Sequence, residues 1–339
     1  MKKLQWAILG AVLIAISLSC ISVGNNGVNI NGQGDPVSLM TKSFDVSAIQ
    51  NVQAITSGGN ITIDGDASGQ ATIEVLGTGN NNRKYTKEEI MNILKRDYEF
   101  SVGREGNTLK AITRRTKSGN WKNAVNISYI IHVKREVATE LKTSGGNIRL
   151  SNLKGVQDFG TSGGNIQFNG LSGQIQGKTS GGNILAVDSH GDIQARTSGG
   201  NIKMQNLNGS IDMRTSGGNI SASKVIGRLS IGTSGGNIKL TDLDATVEGT
   251  TSGGSIDASF NKFQNEVALS TSGGSIRLNV PRAAKMNFEL SGSSVGVGQA
   301  NQLQVQINKA KDHATGTING GGPMLSARTS GGSVKIAFN

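Results

Sequence analysis

Three histidines, 23 carboxylates, one cysteine and 34 basic side chains are the groups of this sequence that could do chemistry, and their spacing decides which could act together. Asp242 and Asp244 share a strand parity and could form an acid pair, the arrangement glycoside hydrolysis requires. The other acids are scattered, and a solvated corner is the plainer reading of this pair. His132, His190 and His313 lie in unrelated segments, with His190 in a Ser-His-Gly turn, so no metal site is expected. Glycine pairs can mark calcium-binding nonapeptides, GGxGxDxUx, whose aspartate supplies ligands. In GGNIKMQNL that place is held by Met204, and elsewhere by Leu150, Phe168 and Leu240, which excludes the motif. Phosphate-loop and dinucleotide motifs fail because TSGGN precedes a strand pattern, not a helix. The expectation is a non-enzyme with no catalytic residue, no metal and no cofactor.

Charge and the lone cysteine remain. Lys178, Arg196 and Arg214 recur 18 residues apart, and Arg149, Lys203, Lys239 and Arg277 occupy a second recurring position. If both positions point outward, they form two basic faces. Those faces would suit an anionic envelope polymer such as lipopolysaccharide, acidic glycan or extracellular DNA. A solvated pattern that protects strand edges is the plainer reading of the same residues. A dedicated nucleic-acid site is not expected, since the faces lack aromatic stacking partners.

The elements that would position these groups are written in a repeat. The tetrapeptide TSGG begins at Thr56, Thr143, Thr161, Thr179, Thr197, Thr215, Thr233, Thr251, Thr271 and Thr329, and from Thr143 to Thr251 the period is 18 residues without a slip. Such a period predicts a solenoid, because one coil alone cannot bury its apolar side. In SGGNIKMQNLNGSIDMRT the apolar positions are Ile202, Met204, Leu207, Ile211 and Met213, two halves of nine residues each carrying the alternation of a short strand. The fold class expected is therefore all-β: a parallel β-solenoid of 18-residue, two-strand coils, capped by a β-rich N-terminal segment with one short helix. A hexapeptide acyltransferase helix shares the 18-residue coil but not this spacing.

Stacking predicts one inward column through Ile148, Ile166, Ile184 and Ile202, and an opposing one through Ile175, Ile193 and Ile211. The TSGG threonines should point inward at a corner, where the glycines are expected to turn with positive φ. An inward threonine column argues against an ice-binding face. The Asn column from Asn147 to Asn237 is expected to form a side-chain amide ladder. Two coils break pattern, with Val156 one place early and Asp188-Ser189 in place of the usual Leu, and bulges are expected there.

The chain opens with MKKLQWAILGAVLIAISLSC, in which Lys2 and Lys3 precede an apolar run and Ser19 precedes Cys20, the order of a secretory signal. The run is shorter than the roughly 20 residues that span a bilayer, so a permanent membrane anchor is the weaker reading. The segment resembles a bacterial lipobox, with Ser17 in place of the usual aliphatic residue, and Cys20 would carry the lipid. Cleavage would leave 32 basic against 23 acidic residues, a net charge of +9. The expected organisation is a signal peptide over 1–19, a lipid-anchored Gly/Asn-rich tether over 20–40 and a solenoid over 41–339. Within the solenoid, 77–140 is an insertion or cap with a helix at 86–98 opened by a Thr86/Glu89 capping box, 143–280 the regular coils, and 281–339 a C-terminal cap.

A lipobox-like start, Phe44-Asp-Val, an isolated TSGGNI coil, a strand pair ending at His132-Val-Lys and serial TSGGNI coils together resemble the bacterial putative-adhesin domain family, of head-GIN type, over roughly residues 41 to 339. The resemblance implies a non-enzymatic cell-envelope lipoprotein, an adhesin or ligand-binding solenoid. The alternative is a structural or envelope-stress-sensing protein with a protein partner. In a host with two membranes, Ile21, which is not the aspartate of inner-membrane retention in enteric bacteria, leads to the expectation of outer-membrane or cell-surface placement.

Overall fold

The backbone bends where the apolar pattern changes phase. In Ile184–Thr197, Ile184 and Ala186 are buried, Asp188 takes a left-handed conformation (φ 47°), and the inward positions resume at Ser189, Ile193, Ala195 and Thr197. A single left-handed residue shifts the two-residue alternation by one place. Asn152, Asn206 and Asp242 do the same one or more coils away, as types whose short polar side chains tolerate this region; Lys224 does so without that advantage. The structure, a computed structural model, describes residues 36–80, 83–116, 123–298 and 305–339, which fall in one unit spanning 33–339. The signal-like run, Cys20 and most of the expected tether lie outside the described residues. The first strand, Val37–Asp45, begins within the segment expected as tether.

Successive coils pair in parallel with an 18-residue offset: Ile184 faces Ile202, which faces Ile220, and Ile193 faces Ile211, which faces Leu229. All of these are at most 1% exposed, and burying each such side chain stabilises by about 1.5–3 kcal/mol. The next inward column alternates in size through Phe168, Ala186, Met204, Ala222 and Leu240. A similar exchange places Gly177 over Phe159, where a Cβ would come within 2.6 Å of the ring.

Both corners differ from expectation in how they use glycine. None of the TSGG glycines has a left-handed φ; positive φ lies at the opposite corner, for example at Gly209 (φ 127°). The second TSGG glycine is required by close approach instead, since a Cβ on Gly200 would sit 2.0 Å from the carbonyl oxygen of Gly182 in the previous coil. The threonines are inward as expected: Thr215 donates its hydroxyl to the Gly200 carbonyl (2.8 Å) and accepts the Gly218 N–H (3.3 Å). The asparagines do not form an amide-to-amide ladder. Asn201 Oδ1 accepts the backbone N–H of Asn219 at 2.8 Å, and serine can do the same, as Ser255 does for Ser275 at 3.2 Å.

Neither irregular coil bulges. The strand Lys154–Thr161 pairs with Ser172–Lys178 without a shift, Gln157 opposite Ile175. Val156 is therefore outward, 52% exposed, and Gln157 occupies the apolar column fully buried. Its amide is satisfied there, accepting from the Thr139 hydroxyl (2.7 Å) and donating to the Val137 carbonyl (2.8 Å). Ser189 is likewise buried in register with Leu207, donating to the Val187 carbonyl and accepting the Leu171 N–H.

At both ends the order of coils departs from the order of the chain. The first TSGG coil, strands Asn51–Thr56 and Ile61–Asp64, stacks on Ala138–Thr143 and Ile148–Ser151, with Thr56 opposite Thr143. On its other side lie Thr108–Arg115 and Val125–His132, with Thr113 and Tyr129 continuing the Thr and Ile columns. The last copy, Met324–Thr329 and Ser333–Phe338, lies between Val267–Thr271/Ile276–Val280 and Met286–Ser291/Ser294–Val297. Each end then changes to antiparallel pairing, through Val37–Asp45 with Gln70–Gly79, and through His313–Ile318 with Met286–Ser291 and Val305–Lys309. This closes off the row of unpaired parallel-strand groups that a bare solenoid end would present. The helix Lys87–Asp97 has the expected capping box and buries Ile90, Ile93 and Leu94 at the N-terminal end.

Candidate anion-binding groove

Lys178, Arg196 and Arg214 each stand immediately before an inward threonine, so strand alternation turns them outward. They are direct cross-strand neighbours, Lys178 opposite Arg196 and Arg196 opposite Arg214. Glycine bounds the column on both sides, Gly160 before Lys178 and Gly232 after Arg214. Like charges one strand spacing apart, about 4.8 Å, repel by about 1 kcal/mol per pair in water.

Asp212, absent from the sequence expectation, relieves part of that repulsion. It accepts from Arg214 Nε at 2.9 Å and from Arg196 Nη2 at 3.4 Å. Arg214 also reaches over Gly232 to donate to Ser230 Oγ at 2.8 Å. Lys178 has no ion-pair partner among the described residues. Farther down the column, Lys142 lies 2.5 Å from Glu140; that contact, with a hydrogen bond from Gln53, holds the Glu140 carboxyl below the usual range, and Glu140 raises the Lys142 ammonium. Lys142 is thus held as a cation paired with Glu140 and is separated from Lys178 by Gly160.

A groove of about 680 Å³ runs beside this column. It is lined by Lys178, Arg196 and Arg214 and by the exposed TSGG serines Ser180, Ser198, Ser216, Ser234 and Ser252. The hydroxyls of these serines have no hydrogen-bond partner among the described residues. This ladder, too, was legible in principle, since every TSGG copy repeats its serine at the 18-residue period.

The other four candidates are not brought together. They follow the TSGG corner, on the next strand, with other side chains between them. Arg149 donates to Gln167 (3.0 Å), Lys203 lies between Leu185 and Ser221, Lys239 between Ser221 and Asp257, and Arg277 pairs with Asp257 (3.2 Å). Asp242 and Asp244 each hold a separate amide, of Asn261 and of Asn265, and so anchor the loop that lengthens the following coil. His132 meets Asp66 at 3.0 Å, far along the chain from His190 and His313. Among the described residues no three His, Cys, Asp or Glu side chains are grouped to hold a metal ion, and no helix is long and apolar enough to cross a membrane.

The family model described as Toastrack DUF4097 matches residues 21–337. No curated protein matches the sequence. Among solved structures, one described as a putative adhesin from Bacteroides fragilis is 13% identical, covering 88% of this chain and 96% of its own, with a TM-score of 0.35. Another, described as a putative lipid binding protein from Parabacteroides distasonis, is 16% identical, covering 90% and 98%, with a TM-score of 0.38. A putative adhesin from the same species is 11% identical over 90% and 98%, also with a TM-score of 0.38.

Proposed function

The chain belongs to the Toastrack DUF4097 family, and from that premise we propose that it is a non-enzymatic binding solenoid of the bacterial cell envelope, an adhesin that docks an anionic polymer. The observation that carries the reading is the cross-strand column of Lys178, Arg196 and Arg214 beside an open groove, with one of its three cations unpaired. Such a column costs stability through like-charge repulsion and supplies no core, so a ligand gives it a purpose that packing does not. Export and anchoring rest on the sequence: Lys2 and Lys3, the apolar run and Cys20 support lipidation, and Ile21 supports outer-membrane or cell-surface placement.

The test is chromatography of the purified chain over immobilised acidic polymers, with cross-linking of intact cells in parallel. Retention at low ionic strength and release by salt support the reading. Passage without retention, together with capture of one envelope protein, contradicts it and favours a structural or stress-sensing role. Membrane fractionation checks the anchor: a Cys20→Ser variant should leave the membrane fraction, and its retention there contradicts lipidation.

A further inference from the structure

The groove crosses the strands. Its lining comes from the same positions in successive coils, so its serines repeat along the solenoid axis once per coil and its cations over three consecutive coils, at Lys178, Arg196 and Arg214. We propose that it takes a linear acidic polysaccharide carrying one carboxylate per sugar, laid along that axis. The inference rests on the anionic-polymer reading above and names the ligand class.

Three features select this ligand. The first is pitch: coils recur at about 4.8 Å, close to the length one 1,4-linked pyranose adds to an extended chain, so Lys178, Arg196 and Arg214 keep step with the sugars of a chain laid along the axis. The second is charge density. Asp212 lies within hydrogen-bonding reach of both arginines and would repel a polymer as densely charged as nucleic acid or polyphosphate. A uronic acid chain is sparser, and its hydroxyls can donate to Asp212. The third is the serine ladder from Ser180 to Ser252, which offers hydroxyls that donate and accept where a sugar presents the same groups. Five coils line the groove, from Lys178 to Ser252, which at one spacing per step is about 20 Å, room for about four sugars.

Calorimetric titration of the purified full chain with galacturonate oligomers of increasing length tests the proposal. Affinity should rise to the tetramer or pentamer and then level off, and the methyl-esterified tetramer should bind far more weakly. Lys178→Ser and Arg196→Ser, both exposed and outside the core, should each weaken tetramer binding about tenfold with melting unchanged. Tetramer binding that ignores both substitutions overturns the groove assignment, as does affinity independent of length. Binding of polyphosphate or duplex DNA without binding of galacturonate oligomers overturns this ligand class while the anionic-polymer reading stands. Failure to bind any of these polyanions overturns both.

Discussion

Thr197 donates its hydroxyl to the carbonyl oxygen of Gly182, one coil earlier, at 2.8 Å, and the hydroxyl oxygen of Thr197 in turn accepts the N–H of Gly200 at 3.2 Å. One buried hydroxyl thus ties two consecutive corners together. Valine at this position keeps the shape and leaves a carbonyl and an N–H unpaired. Thr197→Val should lower unfolding free energy by about 1–3 kcal/mol in urea titrations, and Thr197→Ser, which keeps the hydroxyl, by much less. Equal losses in the two variants would mean that packing, not the hydrogen bonds, explains the column.

Gln157 gives a second, independent test of buried polar satisfaction. Gln157→Leu should destabilise by about 1–3 kcal/mol, because the Thr139 hydroxyl loses its acceptor and the Val137 carbonyl its donor. Adding Thr139→Val should recover part of that loss, so the double-mutant cycle should be non-additive. Strict additivity would show that the two side chains do not interact.

Size exchange between coils predicts a rescue. Gly177→Leu should cost about 1–3 kcal/mol or more by driving a side chain into the Phe159 ring. In a Phe159→Ala background the same substitution should cost less than in the parent, as measured by thermal melting.

The capping box makes the terminal helix acid-sensitive. Hydrogen bonds from the backbone N–H and then the hydroxyl of Thr86 hold the Glu89 carboxyl below its usual value of 4.5. A carboxyl lowered in the folded state contributes stability above its unfolded value and loses it as pH falls through the folded one. Amide signals of Ile90 and Leu94 should therefore report fraying of Lys87–Asp97 below about pH 4.5, and Glu89→Gln should remove that dependence.

Much of this fold is legible in the sequence because a solenoid writes its contacts at a constant offset. Ile184 and Ile202 are 18 residues apart in the chain and opposite each other in the sheet, so one periodicity gives fold class and columns together. What the period does not encode is backbone angle and chain order. Nothing in TSGG distinguishes glycine needed for close approach, as at Gly200, from glycine needed for positive φ, as at Gly209. Val156 misled because hydrophobicity outweighed position, although Gln157 kept the period. The interleaved end coils depend on pairing across insertions, as between Thr56 and Thr113, which no local pattern records. The basic column was readable for the same reason as the core; Asp212 was not, because its role depends on where two long side chains turn.

Two triple variants that lose the same charge from different faces separate a dedicated groove from net charge. One carries Lys178→Ser, Arg196→Ser and Arg214→Ser; the other carries Arg149→Ser, Lys203→Ser and Lys239→Ser. The measurement is the salt concentration that elutes each purified chain from immobilised polygalacturonate. The first variant should be barely retained, and the second should elute close to the parent. Equal losses in both would reduce binding to net charge alone and contradict a dedicated groove.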